Sequence, residues 1–305
     1  MPLKKSLTTD APVKGKKILV TGASGFLGLA LSLQLSKNEN TVYGLARFQD
    51  LEVRKQLESA GVHIVQKDIH RESIDDIPDD FDYVFSELAM LRNCDENQAE
   101  AFDVNTYFVG RLMKHCLNAS GIILGSTGAV YLPGIHPWNE EGTIEPRTAY
   151  GVSKFGGEAL GRFLSELWQI PTCILRYYYP YGPTGGFIYR WVKQIMAGRE
   201  IPINQNCIPR YNPLYISDGI KFTIEAVDHC SIPARAINIG GAEELSQLEL
   251  ITIISDRLGM EPKFRDLDEM SLFWLGDIGL MERLIGSPAV TIRDGIANIV
   301  LSVSS

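Results

Sequence analysis

Short apolar runs alternate with amphipathic stretches along the first 176 residues of this chain. Lys17–Thr21, Thr41–Leu45, Val62–Gln66, Asp82–Phe85, Gly121–Leu124 and Thr172–Leu175 are brief and rich in Ile, Leu and Val. Runs of that length and composition are strands buried on both faces. Phe26–Leu35, Asp50–Ala60, Ala99–Leu117 and Ala149–Leu167 instead carry apolar residues at helical spacing. Strands and helices in alternation predict an α/β fold with a parallel sheet covered on both sides. After Arg176 the pattern changes: Pro180, Pro183, Pro202, Pro209 and Pro213 interrupt it. Ser217–Asp228 and Ser246–Leu258 are the helices expected there, with Ser217 and Ser246 as N-caps. This later part is expected to form a smaller lobe, with no clean linker before it.

Two strings add chemistry to that outline. Thr21-Gly22-Ala23-Ser24-Gly25-Phe26-Leu27-Gly28 follows the first strand and opens the first helix. Gly22 permits a tight turn, Gly25 lets the backbone approach a pyrophosphate, and Gly28 lets the helix pack on the strand. The helix N-terminus adds free amides and a partial positive charge. A helix start with flexible glycines is the plainer reading, and the strand-turn-helix setting favours dinucleotide binding over it. At the end of the second strand, Ala46 stands where a carboxylate for the adenosine ribose is expected, and Arg47 follows. A guanidinium pairs bidentately with a 2′-phosphate, so NADP is expected ahead of NAD. Asp68, after the third strand, is a candidate for the adenine amino group or an ordinary loop cap.

The second string is Tyr150-Gly151-Val152-Ser153-Lys154. Four residues apart on a helix, Tyr150 and Lys154 share a face. A free phenol titrates near about 10. A neighbouring ammonium and a positive nicotinamide ring favour the phenolate, and Tyr150 is then expected to exchange a proton with a substrate hydroxyl or carbonyl. The strand end Ser126-Thr127-Gly128-Ala129-Val130-Tyr131 falls at the carboxyl edge of the sheet, where open α/β sheets bind ligands. Thr127 is expected to hold the substrate oxygen toward Tyr150, with Ser126 as its rival.

Taken together, these residues resemble the extended short-chain dehydrogenase/reductase superfamily, in its NAD(P)-dependent epimerase/dehydratase branch. Further motifs stand in family order: Leu175-Arg176-Tyr177 leading to Tyr181-Gly182-Pro183, Tyr215-Ile216-Ser217-Asp218, Asn238-Ile239-Gly240-Gly241 and Ser246-x-x-Glu249-Leu250. The resemblance implies a Rossmann-type doubly wound parallel sheet with a smaller C-terminal substrate-binding lobe. It implies catalytic Thr127, Tyr150 and Lys154. It puts the cofactor against Gly22, Ser24, Gly25, Phe26, Leu27, Gly28, Arg47, Asp68, Ile69, Leu88 and Ala89, with Tyr150, Lys154 and Tyr177 at its nicotinamide end. Substrate contacts are expected from Glu87, Ser126, Thr127, Tyr178, Tyr179 and Arg210. Relatives dimerise by pairing two long helices into a four-helix bundle, which here implies a homodimer through 99–117 and 149–167. The resulting division is a mobile tail over 1–15, a dinucleotide-binding domain over 16–176 and a mainly substrate-binding lobe over 177–305.

Three departures refine the expected activity. Gly128-Ala129 replaces the Asp-Glu that sugar-nucleotide 4,6-dehydratases carry after the catalytic Thr, which disfavours water elimination. Glu87-Leu88-Ala89-Met90 replaces the common His-Leu-Ala-Ala, so a carboxylate stands near the cofactor. Arg210-Tyr211-Asn212-Pro213-Leu214-Tyr215 differs from the usual nucleotide-sugar pattern, although Arg210 keeps a charge suited to a diphosphate. The expected reaction is hydride transfer at a secondary alcohol or ketone, by an epimerase or reductase of a nucleotide sugar. The alternatives are an NADPH-dependent reductase of a non-sugar carbonyl and a non-catalytic nucleotide-sensing protein on the same fold.

Bulk properties add exclusions. The 305 residues are 45% hydrophobic and 22% charged with a formal charge of -8, ordinary for a soluble domain and unfavourable for nucleic acid. The five cysteines include no CxxC pair, so neither a disulfide framework nor a metal site is expected, and a cytoplasmic location fits. No apolar stretch approaches the roughly 20 residues that span a bilayer, so no membrane partner is expected.

Overall fold

Alternating side-chain direction along the first strand already separates two cores. In β1 (Lys17–Thr21), Ile18 and Val20 enter one apolar cluster and Leu19 enters another on the opposite face. The computed structural model describes residues 13–204, 207–267 and 272–304. Its central sheet is built from β1, β2 (Thr41–Ala46), β3 (His63–Gln66), β4 (Tyr83–Ser86), β5 (Gly121–Thr127), β6 (Thr172–Tyr177) and β7 (Arg235–Ile239). The seven strands are all parallel, in the order β7-β6-β5-β4-β1-β2-β3. The order reverses between β1 and β4, and in such sheets the crevice at that point binds the ligand. The Rossmann-type doubly wound fold is therefore present.

Helices cover both faces: α1 (Phe26–Ser36), α2 (Leu51–Ser59), α3 (Gln98–Phe102), α4 (Phe108–His115) and α5 (Ala149–Trp168). Asp50 caps α2, its carboxylate accepting the Glu52 N–H at 2.9 Å. The single helix expected over 99–117 is broken: Asp103–Tyr107 forms a π turn between α3 and α4. The extra residue turns Asn105 inward, where it is 1% exposed and bonds Met90 and Ser153. The glycines of α5 accept this bulge, because a Cβ on Gly157 would meet the Asn105 carbonyl oxygen at 2.3 Å.

After residue 176 come α6 (Phe187–Met196), α7 (Ile216–Glu225), α8 (Gln247–Leu258), α9 (Gly279–Leu284) and α10 (Ile292–Ser304). A third core, with Ile188, Val192, Leu250, Ile254 and Ile296, unites α6, α8 and α10 as a lobe. The same stretch also returns to the sheet, adding β7 beside β6 and packing α7 on α1. Ser246 caps α8 in a reciprocal capping box with Glu249. Ser217 does not cap α7. The helix starts one residue earlier, after Tyr215, because Leu214–Tyr215 pairs with Pro180–Tyr181 and ends there. The first twelve residues of the expected mobile tail lie outside the described residues, while Val13 is fully buried and its carbonyl accepts from Asn40. No helix among the described residues is long and apolar enough to cross a membrane.

Candidate active site

The turn after β1 is set by atoms that leave no room for side chains. Gly22 has φ +72°, and a Cβ there would meet the Leu88 backbone at 2.7 Å. A Cβ on Gly28 would meet the Gly22 carbonyl oxygen at 2.2 Å, so α1 lies directly on the turn. Gly25 N-caps α1, donates its N–H to that same oxygen at 2.8 Å and is exposed on its outer side. Its bare backbone is the cradle expected for a pyrophosphate. Gly25, Phe26, Leu27, Gly28 and Ala89 line a cavity of about 920 Å3 at the carboxyl edge of the sheet. Gly22 and Leu88 buttress it from below, and Ser24 lies partly exposed within the turn.

Three of the expected cofactor residues lie outside the cavity lining. Ile69 is a core side chain at 4% exposure. Asp68 caps its own turn, accepting the His70 N–H at 3.3 Å. Arg47 is exposed at the end of β2, outside the cavity lining.

The opposite wall belongs to α5 and the tip of β5. Thr148 caps α5, its hydroxyl accepting the Gly151 N–H at 3.0 Å. Tyr150 and Lys154 then face the cavity with Thr127. Lys154 Nζ donates to the Gly125 carbonyl at 2.6 Å. Burial lowers the Lys154 pKa, opposed by the nearby Glu87 and Glu158 carboxylates. Burial pushes the Tyr150 phenol up to about 12, while its hydrogen bond with Thr127 pulls it down. The expected lowering of Tyr150 by Lys154 is therefore overridden in the protein alone. The ammonium is engaged by Gly125, and desolvation disfavours the phenolate.

Ser126 and Thr127 separate cleanly. The Ser126 hydroxyl is buried and donates to Glu158 Oε1 at 2.5 Å. Glu158 in turn holds Arg176, with Nη2 to Oε2 at 2.6 Å and both side chains almost fully buried. Arg176 Nη1 also donates to the Tyr131 hydroxyl at 2.5 Å. This network braces β5, β6 and α5 beneath the cavity. Both residues line the cavity, but the Ser126 hydroxyl is taken up by this network while that of Thr127 bonds Tyr150 and the Ala129 N–H.

Tyr177, Tyr178 and Tyr179 diverge although adjacent. The Tyr177 hydroxyl lies between Glu87 Oε1 at 3.0 Å and Thr223 Oγ1 at 2.8 Å. The Tyr178 ring is 1% exposed and wedged against Gly128 and Gly276, beneath the cavity. Tyr179 has φ +48°, accepts the Trp274 N–H on its hydroxyl at 2.8 Å and packs edge-on against Phe187 and Tyr211. Arg210 is not brought to the cavity. Its guanidinium pairs with Glu244, with Glu249 nearby.

Sequence reasoning missed Arg92, Asp95, Phe187, Arg190 and Trp274, which also line the cavity. None belongs to a local motif, since they come from the loop after β4, from α6 and from the segment before α9. Burial and the charge of Arg92 hold Arg190 below its usual value. Neither guanidinium has an ion-pair partner among the described residues. Among those residues no cluster of His, Cys, Asp and Glu is suited to hold a metal ion.

Comparison with known proteins agrees with this architecture. The model of the NAD dependent epimerase/dehydratase family matches residues 18–240. An uncharacterized UDP-glucose epimerase of Bacillus subtilis is 26% identical over 311 residues, covering 95% of this chain and 98% of that protein. UDP-glucuronate 4-epimerase 3 of Arabidopsis thaliana is 25% identical over 288 residues, 82% of this chain and 66% of its own length. UDP-glucuronic acid 4-epimerase of Bacillus cereus, solved with UDP-glucuronic acid and NAD, superposes with a TM-score of 0.86 at 26% identity, covering 94% of this chain and 99% of the other. The chain belongs to the NAD dependent epimerase/dehydratase family and is an NAD(P)-dependent enzyme of the extended short-chain dehydrogenase/reductase type.

Proposed function

We propose that this family member is a nucleotide-sugar 4-epimerase in which Tyr150 is the acid/base, Lys154 its cationic partner and Thr127 the group that orients the reacting hydroxyl. The observation that carries the reading is the meeting of these three side chains and the Gly25 cradle in one 920 Å3 cavity. Arg92 and Arg190 support an anionic substrate, because the two like charges are near enough for Arg92 to lower the Arg190 pKa in a shared cavity. Relatives named as UDP-glucose and UDP-glucuronate epimerases point to a UDP-sugar.

The glycine turn fits a dinucleotide, since a Cβ at Gly22 or Gly28 would fill the space that lets the chain bend beneath it. When bound, the nicotinamide supplies a reversible hydride acceptor. The protein does the rest. Gly25 and the start of α1 hold the pyrophosphate, Thr127 orients the sugar hydroxyl, and Tyr150 takes its proton and later returns one to the same oxygen. Gly128 and Ala129 offer no further acid or base beside Thr127, which supports epimerisation over dehydration. NAD is the cofactor this reading adopts, because the aligned Bacillus cereus enzyme was solved with it. The comparisons lend no support to the NADP preference expected from Arg47. The paired faces of α3–α4 and α5 expose Tyr107, Phe163 and Leu167, which supports a homodimer through these helices. Sedimentation is expected to give twice the 33.9 kDa chain mass.

The test supplies UDP-glucose and UDP-glucuronate to the purified protein and follows the C4 epimer. Denaturation then identifies any released NAD or NADP. Tyr150→Phe is expected to lower turnover by roughly 10²–10⁴ while nucleotide release is unchanged. Stoichiometric consumption of NADPH with no epimer formed would replace this reading with a reductase.

A further inference from the structure

Glu87 stands just beyond β4, at the point where the strand order reverses, and lines the cavity beside Lys154. Its two oxygens have different surroundings. Oε2 lies against the Gly125 backbone, so close that a Cβ there would approach it to 2.6 Å. Oε1 begins a file of oxygens. It is 3.0 Å from the Tyr177 hydroxyl, which is 2.8 Å from Thr223 Oγ1, which donates to the Gly219 carbonyl at 2.7 Å.

The protons in that file can be counted. Three oxygen–oxygen contacts need three protons, and the two hydroxyls supply one each. The Gly219 carbonyl only accepts, so the Thr223 proton goes to it. The Tyr177 proton then goes to Thr223. The contact between Tyr177 and Glu87 is completed only if the carboxyl brings a proton of its own. An ionised Glu87 reverses the file, draws both hydroxyl protons toward itself and leaves the Thr223–Gly219 contact without one. A buried chain with every contact made is the better satisfied of the two.

We propose that Glu87 is a neutral carboxylic acid on the acid side of neutrality, a positioning residue that there leaves the Lys154 charge uncompensated for Tyr150. Desolvation by the surrounding protein favours the same state, pushing this carboxyl up to about 7 against the pull of Tyr177 and Lys154, although Glu87 is only half-buried at the cavity wall and water there works against the shift. The titratable groups that face it are Tyr177 on β6 and Lys154 and Tyr150 on α5, while α7 contributes only the Thr223 hydroxyl. The other carboxylate near Lys154, Glu158, is already matched by Arg176. Ionisation of Glu87 cancels the ammonium and raises Tyr150 further, so the two acids compete for one negative charge. The protonation state is independent of the epimerase reading. Its consequence for Tyr150 rests on that reading.

Infrared titration of the purified protein tests the first part. A protonated carboxyl C=O band is expected below pH 7, lost as the pH rises and missing from Glu87→Gln at every pH. A wild-type spectrum indistinguishable from that of Glu87→Gln overturns the proposal. Should Glu87→Gln fail to fold, Tyr177→Phe removes the next link and is expected to move the frequency and midpoint of the same band. An unmoved band also overturns it. The pH profile of UDP-sugar turnover tests the second part. Glu87→Gln is expected to match the wild type below pH 7 and to gain on it by up to about tenfold above, where the wild-type carboxyl ionises. Equal profiles on both sides of pH 7 remove Glu87 from the control of Tyr150. Absence of turnover in both proteins, with the band present, defeats the substrate reading and leaves the neutral acid standing.

Discussion

Two carboxylates act on Lys154 from opposite circumstances. Glu158, below the sheet edge, touches a guanidinium, accepts the Ser126 hydroxyl and is sealed from solvent with its partner. Glu87, at the cavity wall, has no cation in contact among the described residues and meets a phenol instead. The same residue type thus serves as a structural anion in one place and, in our proposal, as an uncharged donor in the other. A buried charge costs too much unless it is paired, and an unpaired carboxyl neutralises instead. The pairing partner, more than burial itself, decides which outcome follows.

Removing Arg176 gives the largest expected effect on this contrast. Arg176→Met leaves the Glu158 carboxylate buried with only the Ser126 hydroxyl, and stability is expected to fall by about 3–5 kcal/mol in chemical denaturation. Glu158→Gln with Arg176→Met removes the charge as well, and is expected to recover part of the loss. Equal losses in the single and double variants would show that the two groups are not coupled, and the contrast with Glu87 would lose its basis.

Glu87→Gln is expected to act in the opposite direction. The Glu87 pKa is raised from 4.5 to about 7. Between those values the folded protein holds a proton that the unfolded chain has released. Stability from this group is therefore fully present below pH 4.5 and is lost as the pH rises through 7. The loss amounts to at most about 3 kcal/mol. Glu87→Gln lacks it, so the variant is expected to gain on the wild type between pH 5 and pH 8, the gain growing with pH. A constant difference across that range would place an ordinary ionised carboxylate at position 87.

These two networks also mark where sequence reading works and where it stops. The Gly22–Gly28 turn and the Tyr150–Lys154 pair are local: their spacing along one turn or one helix fixes the geometry, and the structure brings both to the same cavity. Glu87 stands out in sequence as a departure from a common pattern. Its protonation depends on Thr223 and Gly219, which only the packing of α7 brings near, so no spacing rule reaches it. Glu158 and Asn105 carry no local signal either, since their partners Arg176 and Met90 arrive through the sheet and the π turn. Two glycines of α5, Gly151 and Gly157, mark where another backbone presses on that helix, at the Ala129 and Asn105 carbonyls. Arg210 suits a diphosphate by residue type alone, and the structure spends its charge on Glu244.

The adjacent hydroxyls of Ser126 and Thr127 give the smallest effect and the finest test of the contrast. Successive strand residues point to opposite faces, so one hydroxyl turns to Glu158 and the other to Tyr150. Ser126→Ala removes one hydrogen bond to a carboxylate that keeps its guanidinium, and is expected to cost about 1.5 kcal/mol of stability. Turnover of UDP-sugar should remain near wild type, because Tyr150 and Lys154 keep their places. Thr127→Ala should slow turnover, and because the Thr127 hydroxyl also accepts the Ala129 N–H at 3.2 Å it should cost about 1 kcal/mol as well. If Ser126→Ala slowed turnover as much as Thr127→Ala, the Ser126 hydroxyl would have to leave Glu158 for the substrate, and the division between a structural floor and a reactive wall would fail at its closest point.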